Sequence, residues 1–325
     1  MNTSLTDSSQ CFDEFYDKIK ADPTFVLLGA QGSGTNFLAR ILMRALDVSV
    51  TVDRSLIFNS AARLCRDKSE HRASVEARRI FQSLFPGPLR KRLLSRRYYN
   101  KNQNYIGIEN HLSKAITESP SEFSNFFYSY HAFATSKSYK ALKSDDIWEN
   151  LDLLPEIIPN YRVLLLIRDP RDNAISVMRK NFGPREIYYA SLYVRKRMDA
   201  YISFADKAPE RVHCVKYEDL LTDPLECAKR LAGFFNLEVT PELSNQIAKM
   251  SIRPNKSRKW EKLSAKDLAI TETVFADVLK RFNYERGASC NLTPSNLEGI
   301  ALAAKDSLLR VPQKIGVKIR RYVRG

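Results

Sequence analysis

The residues of this chain that could do chemistry fall into two groups. The first is the turn Gly29, Gly32, Ser33, Gly34, Thr35 and Asn36. It lies between the apolar run Phe25, Val26, Leu27, Leu28 and the residues Phe37, Leu38, Ile41 and Leu42, which recur at helical spacing. Strand, glycine-rich turn and helix in that order make a cradle for an anion. Glycines let the main chain approach a phosphate or sulfate, and the first amides of the helix point at it with the positive end of the helix dipole behind them. The expected cargo is the 5′ end of a nucleotide. The Gly29 to Gly34 spacing also fits the first half of a nucleoside-triphosphate P-loop, but Thr35 stands where that motif needs a lysine. A turn that merely joins strand to helix is the plain alternative.

The second group opens at Arg168, which ends the apolar stretch of YRVLLLIRDPRDNAIS. Ligands of an open parallel sheet bind at the carboxyl ends of its strands, so Arg168 and a helix opening near Asp172 belong beside the glycine turn. The competing role for Arg168 is an ion pair with Asp169 or Asp172. Glu109, Asn110 and His111 follow a candidate strand at Tyr105 to Ile108. His111 has the chemistry of a base, although a hydrogen-bonded structural histidine accounts for it as well.

The elements around these groups imply one large α/β domain. The chain has 325 residues, 44% of them hydrophobic, enough for a full core. Thr6 to Ala21 reads as an amphipathic helix and Leu46 to Leu56 as a β-prone stretch. Ser60 to Phe85 has a helical pattern, followed after Pro86-Gly87-Pro88 by a basic helix at Leu89 to Arg97. Phe123 to Phe133 is an aromatic-rich core segment, and IWENLDLLPEIIP is a helix between prolines. The opening residues lack the cationic flank and apolar core of a secretion signal, and no run approaches the ~20 apolar residues of a membrane span. The expectation is a cytoplasmic chain. Its five scattered cysteines suggest neither a disulfide framework nor a zinc site.

The net charge of +15 is concentrated in two places. Ser60 to Lys101 carries 12 Lys/Arg against 3 Asp/Glu, and Arg310 to Gly325 carries 6 Lys/Arg and no acid. Such fields gather nucleotides, acidic glycans, anionic lipid surfaces or nucleic acid, or they simply solvate helix faces. The first patch, if near the glycine turn, would make a lid for an acceptor.

Four blocks taken together resemble the 3′-phosphoadenosine-5′-phosphosulfate (PAPS)-dependent sulfotransferase family. GAQGSGTNF is similar to that family's 5′-phosphosulfate loop, and RDPRDNAIS to its 3′-phosphate motif, with Arg168 and Ser176 at the family's spacing of eight. VHCVKYEDLLTDPLECAKRLAGFFNL resembles its strand, Tyr-Glu-Asp-Leu turn and helix, and RPNKSRKWEKL its cationic loop before a tryptophan. The matches run from about Thr24 to Tyr284, and four ordered blocks are far more specific than one short motif. The resemblance implies a three-layer P-loop-like α/β fold with a central parallel sheet flanked by helices. The expected layout is an N-terminal helical segment at 1–23 and a sulfotransferase domain at 24–284 with a helical insertion at about 60–101. A basic C-terminal extension at 285–325 completes it.

It also implies a site. Gly32, Ser33, Gly34, Thr35 and Asn36 would cradle the 5′-phosphosulfate. Arg168, Ser176 and the Arg253 to Lys259 loop, with Lys256, Ser257, Arg258 and Lys259, would form a separate, distant clamp on the 3′-phosphate, and Phe37 and Tyr217 would lie near the adenine. No metal is implied. Where the family has a cation in its loop this chain has Gly32, so Lys143 is assigned as the cation and Asp145 as the base, with Lys140, Glu109 or His111 as alternates. The acceptor implied is a hydroxyl, or less readily an amine, of a carbohydrate or lipid-linked molecule. Specific nucleic-acid binding is not expected. Past Tyr284, Leu297 to Leu309 reads as a helix. Around and past Pro312 a face of Val311, Ile315, Ile319 and Tyr322 opposes Lys314, Lys318 and Arg321, suited to an anionic membrane or to the protein's own core. A P-loop kinase and a catalytically inactive anion-binding relative are the rival readings.

Overall fold

The computed structural model describes residues 5–52, 56–84, 109–144, 147–237, 243–250 and 257–322. Five strands form one parallel sheet: β1 (Thr24–Leu28), β2 (Val48–Val52), β3 (Tyr139–Lys143), β4 (Tyr161–Ile167) and β5 (Val212–Lys216), in the order β2-β3-β1-β4-β5. All residues of β1 are buried because both faces of the sheet are covered, which is why its sequence does not alternate. Successive side chains enter opposite layers. Val26 and Leu28 pack with Phe12, Phe58, Phe123 and Tyr201, while Phe25 and Leu27 pack with Leu38, Ile41, Leu231 and Phe235. The chain leaves β1 toward β2 on one side and leaves β4 toward β5 on the other. The carboxyl ends of adjacent β1 and β4 therefore flank the switch point where such sheets hold ligands.

Several elements differ from the sequence reading. Helices Leu56–Arg66 and Glu70–Leu84 are not a lid: Ile57, Phe58, Ala61, Ala62, Leu64 and Ile80 lie in the main core. Arg63 holds the buried Glu76 through two bonds, of 2.5 and 2.7 Å. Glu109, Asn110 and His111 open a helix, Glu109–Glu118, rather than closing a strand. The candidate strand Tyr105 to Ile108 and the basic Leu89 to Arg97 segment lie outside the described residues. A 3-10 turn, Ile147–Leu153, precedes the single α-turn Leu154–Ile157, which holds Pro155 and stops before Pro159. One helix, Asn296–Tyr322, runs through Pro312, where the sequence suggests a break. The N-terminal helix Leu5–Ile19 shares the main core, with Phe12 packed edge-on against Phe126 and Tyr130. Among the described residues no helix is long and apolar enough to cross a membrane.

Helix Pro120–Ala134 is capped by Ser119, whose side chain accepts from Glu122 N, and its last turn carries His131. Ser49 of β2 meets His131 Nδ1 at 2.6 Å and Thr135 Oγ1 at 2.8 Å. Burial pushes the imidazole down from its ordinary 6.5 to about 4, so it stays neutral in the fold while the unfolded chain protonates it. The stability this gives is complete above pH 6.5 and is lost as pH falls toward 4, by up to about 1.4 kcal/mol per unit. Urea unfolding at pH 5 and pH 7 should show the drop, and His131→Gln should remove most of that difference.

Candidate functional site

The loop after β1 takes its shape from three glycines. A Cβ on Gly29 would sit 2.6 Å from Ser33 Oγ and 3.0 Å from Leu166 O, so only glycine lets the turn pass against β4. Gly32 and Gly34 have φ of +92° and +104°, and a side chain on Gly34 would collide with the Tyr217 ring. Ser33 N closes the turn on Ala30 O at 2.9 Å, and Gly34 caps helix Thr35–Ala45, whose first amides have no carbonyl one turn back. Ser33 and Thr35 are buried and Asn36 is exposed. Ser33 Oγ is turned inward and has no hydrogen-bond partner among the described residues.

Arg168 leaves the end of β4 and reaches this loop. Its Nη1 donates to Gly32 O at 2.8 Å and lies 3.4 Å from Ser176 Oγ, while its Nη2 meets Asp172 Oδ2 at 3.2 Å. The guanidinium lies over the Tyr217 ring, 4.7 Å from the centroid. Both sequence-level roles for Arg168 therefore hold at once: it pairs with Asp172 and it faces the glycine turn. The two anion grips are adjoining, not distant, because Gly32 O and Ser176 Oγ share one arginine nitrogen. Asn173, 1% exposed, lies beside Gly32, and both its amide atoms lack partners among the described residues.

Asp172 also holds the cationic segment. Its Oδ1 accepts from Lys259 N at 2.7 Å and Trp260 N at 3.1 Å, and Lys259 Nζ reaches Ser176 Oγ at 3.2 Å. Beside this pair is a cavity of about 530 Å³ lined by Ile175, Met178, Arg179, Arg185, Lys259, Lys262 and Leu263, with four cations and no acid. Arg258 turns away instead, to Glu261 and Glu285 at 2.6 Å each; Ser257 is half-buried, and Lys256 lies outside the described residues. Behind the turn, Arg171 is fully buried. It is bonded to Asp169 at 2.7 and 3.0 Å and to Glu272 at 2.5 Å, and it is stacked on Trp260 at 3.7 Å. Glu218 accepts from Asp169 N at 3.1 Å and from the Tyr284 hydroxyl at 2.9 Å, and burial raises its carboxyl above the usual range. All four sequence blocks thus meet at the ends of β1 and β4.

Over residues 23–241 the sequence matches the group described as the sulfotransferase family. The chain belongs to the sulfotransferase family. No curated protein matches it in sequence. Solved structures agree on the fold. The sulfotransferase domain from the curacin biosynthetic pathway is 17% identical, with a TM-score of 0.51, over 82% of this chain and 99% of that one. The sulfotransferase domain from the Synechococcus PCC 7002 olefin synthase is 16% identical, with a TM-score of 0.51, over 81% and 95%. Sulfotransferase STF9 from Mycobacterium avium is 13% identical, with a TM-score of 0.50, over 87% and 82%.

The catalytic positions of this sulfotransferase are more divided. Lys143 is the last residue of β3, 3% exposed, at the sheet edge that carries the loop; it is not a surface charge. Asp145 lies outside the described residues. Lys140 is excluded as an alternate because it is turned to Ile19 O, Asn125 Oδ1 and Ser129 Oγ, where burial lowers its pKa to about 8. Phe37 is packed in the core under the loop with Arg40 over its ring, while Tyr217 lies on the loop itself.

Sequence reasoning did not single out Arg197, which the structure places one residue contact from the loop. It sits on helix Ile187–Lys207, one turn after Tyr193, whose hydroxyl donates to Gln31 of the loop. The guanidinium is half-buried, 3.5 Å from the Tyr193 centroid and 4.9 Å from that of Trp148, and it donates to Tyr193 O at 3.0 Å. No carboxylate pairs with it among the described residues. The i, i+4 placement of Tyr193 and Arg197 is the only sequence signal for this contact.

A buried arginine with two carboxylates is most costly to remove from one side. Arg171→Met should lower the unfolding free energy by about 3–5 kcal/mol by leaving Asp169 and Glu272 uncompensated. The same change at exposed Arg258 should leave the urea midpoint in place.

Proposed function

We propose that this sulfotransferase moves a sulfuryl group from PAPS to a hydroxyl, or less readily an amine, of a carbohydrate or lipid-linked acceptor. The observation that carries the reading is the Arg168 cluster. One guanidinium joins the carbonyl of Gly32, the Ser176 hydroxyl and the Tyr217 face, and Lys259 approaches the same hydroxyl. PAPS bears acid groups on both the 3′ and the 5′ positions of one ribose and needs an amide cradle adjoining a cationic clamp, whereas ATP would leave the clamp unused. The buried, unpartnered Ser33 hydroxyl and Asn173 amide suit a ligand with several acceptor oxygens.

In this reading the acceptor oxygen attacks sulfur in line with the bridging oxygen. The new S–O bond forms as the old one breaks, 3′,5′-diphosphoadenosine departs, and the acceptor proton passes to a base, assigned to Asp145. Charge building on the bridging oxygen needs a cation, and Gly32 cannot supply one. Lys143 serves from the end of β3. Arg197, linked to the loop through Tyr193 and Gln31, is assigned as a second cation for the sulfuryl group.

Calorimetry tests the donor site without knowledge of the acceptor. The wild-type chain should bind 3′,5′-diphosphoadenosine and be indifferent to ATP with magnesium. Arg168→Ala should weaken the diphosphate by roughly tenfold or more, the worth of about 1.5 kcal/mol or more for a charged hydrogen bond. Retained affinity in that variant would rule out the clamp. Arg197→Ala should leave the diphosphate within about twofold while weakening PAPS by roughly tenfold, since only PAPS carries the sulfuryl group. Labelled PAPS with a glycan and lipid panel then separates an enzyme from a binding protein: bound nucleotide with no transfer identifies the latter.

A further inference from the structure

Helix Asn296–Tyr322 meets the body through a mixed side, on which half-buried Leu302 and Ala303 stand beside polar contacts. The Tyr189 hydroxyl donates to Gly299 O at 2.9 Å, and Asp306, 6% exposed, accepts from Arg185 N at 2.5 Å and Glu186 N at 3.1 Å. Arg310 pairs with Asp306 at 3.5 Å and donates to Phe182 O at 3.2 Å. The outward side is apolar: Leu297, Ile300 and Leu308 are 80%, 67% and 71% exposed and share one helical face, with Leu309 beside them. These four, with Phe182 at the contact with Arg310, make up most of the exposed large apolar side chains among the described residues.

The sequence says what would cover this face. In the sequence the same apolar spacing continues at positions 311, 315, 319 and 322, and Arg310 to Gly325 adds six Lys/Arg and no acid. A second copy paired in parallel would bring two such cationic ends together and be opposed by their repulsion, whereas an anionic lipid surface attracts the cationic end in any orientation. A surface that is apolar inside and negatively charged outside satisfies both features. We propose that this helix lies in the plane of an anionic lipid surface, its apolar stripe sunk among the acyl chains and its cations among the headgroups. It does not cross, because no stretch of it is apolar enough. Arg185, whose amide is fixed by Asp306, also lines the cationic cavity next to Lys259 and Ser176, so docking would bring that cavity close to the lipid surface. The docking itself does not rest on the sulfotransferase chemistry.

Flotation of the full chain with phosphatidylcholine vesicles, and with vesicles of phosphatidylcholine and phosphatidylglycerol in equal parts, is the test. The chain should float with the anionic vesicles only, and raised salt should weaken binding by roughly tenfold, since the headgroup attraction is screened. The double variant Leu297→Glu, Leu308→Glu should lose roughly tenfold or more of the binding. Its affinity for 3′,5′-diphosphoadenosine and its circular dichroism should not change, which separates lost docking from lost fold or donor site. A variant with Lys314→Gln, Lys318→Gln and Arg321→Gln should also release the chain. Failure to float, equal flotation with neutral vesicles, or unchanged flotation of the Leu→Glu variant overturns the proposal. So does a concentration-dependent dimer in sedimentation velocity that the Leu→Glu variant dissolves, which would assign the face to a second copy.

Discussion

One buried carboxylate joins the parts of this site. Asp172 has no exposed surface, yet it holds the Arg168 guanidinium on one oxygen and the main-chain amides of Lys259 and Trp260, 87 and 88 positions away, on the other. Burial alone would favour its neutral form, and the arginine and the two amides pull the other way. Without that charge the arginine would lose its orienting partner and the Lys259 segment its anchor. The glycine loop depends on the same joint, because Arg168 is what ties Gly32 to β4.

The RDPRD turn shows how two like-charged arginines are given different work. Arg171 is consumed inward by Asp169, Glu272 and the face of Trp260. Arg168, three residues earlier, has one carboxylate and otherwise faces a carbonyl, a hydroxyl and an aromatic ring. Buried ion pairs of the Arg171 kind are weak contributors to net stability but costly to break, so they fix one arrangement of chain segments against others. Here that arrangement aims Arg168 and Lys259 at one hydroxyl before any ligand arrives, which is preorganisation in the electrostatic sense.

What was legible in the sequence follows from what each signal measures. β1 and β4 were readable because strands covered on both faces become unbroken apolar runs, and the glycine turn because positive φ and close approach leave few alternatives to glycine. Charge was harder to read. The arginines of 56–84 resemble a solvated or ligand-binding surface, but their helices bury Phe58, Leu64 and Ile80, and Arg63 is occupied by Glu76. Arg258 belongs to the cationic block by position and to Glu261 and Glu285 by contact. Glu109 to His111 opens a helix, where a strand end had been expected, because three polar residues after an apolar run fit either reading. Pro312 gave the wrong boundary for a related reason: the disfavour of proline inside a helix is a local preference that the longer pattern overrode.

Gly32 links the loop's shape to the placement of its cations. At φ of +92° a side chain would be strained, and its Cβ would come within 3.1 Å of the Ser176 Cβ. A lysine or arginine at this position would therefore carry backbone strain and need Ser176, whose hydroxyl Arg168 and Lys259 share, to give by a few tenths of an ångström. Close contact between loop and clamp is thus easiest to keep with glycine at this position. Helix Ile187–Lys207 meets that constraint from outside, since Tyr193 reaches Gln31, the residue before Gly32, and its ring carries the Arg197 guanidinium on one face. This contact from a neighbouring helix leaves the glycine backbone undisturbed. It also makes the position of Arg197 depend on the packing of Trp148 and Tyr193 rather than on the loop sequence.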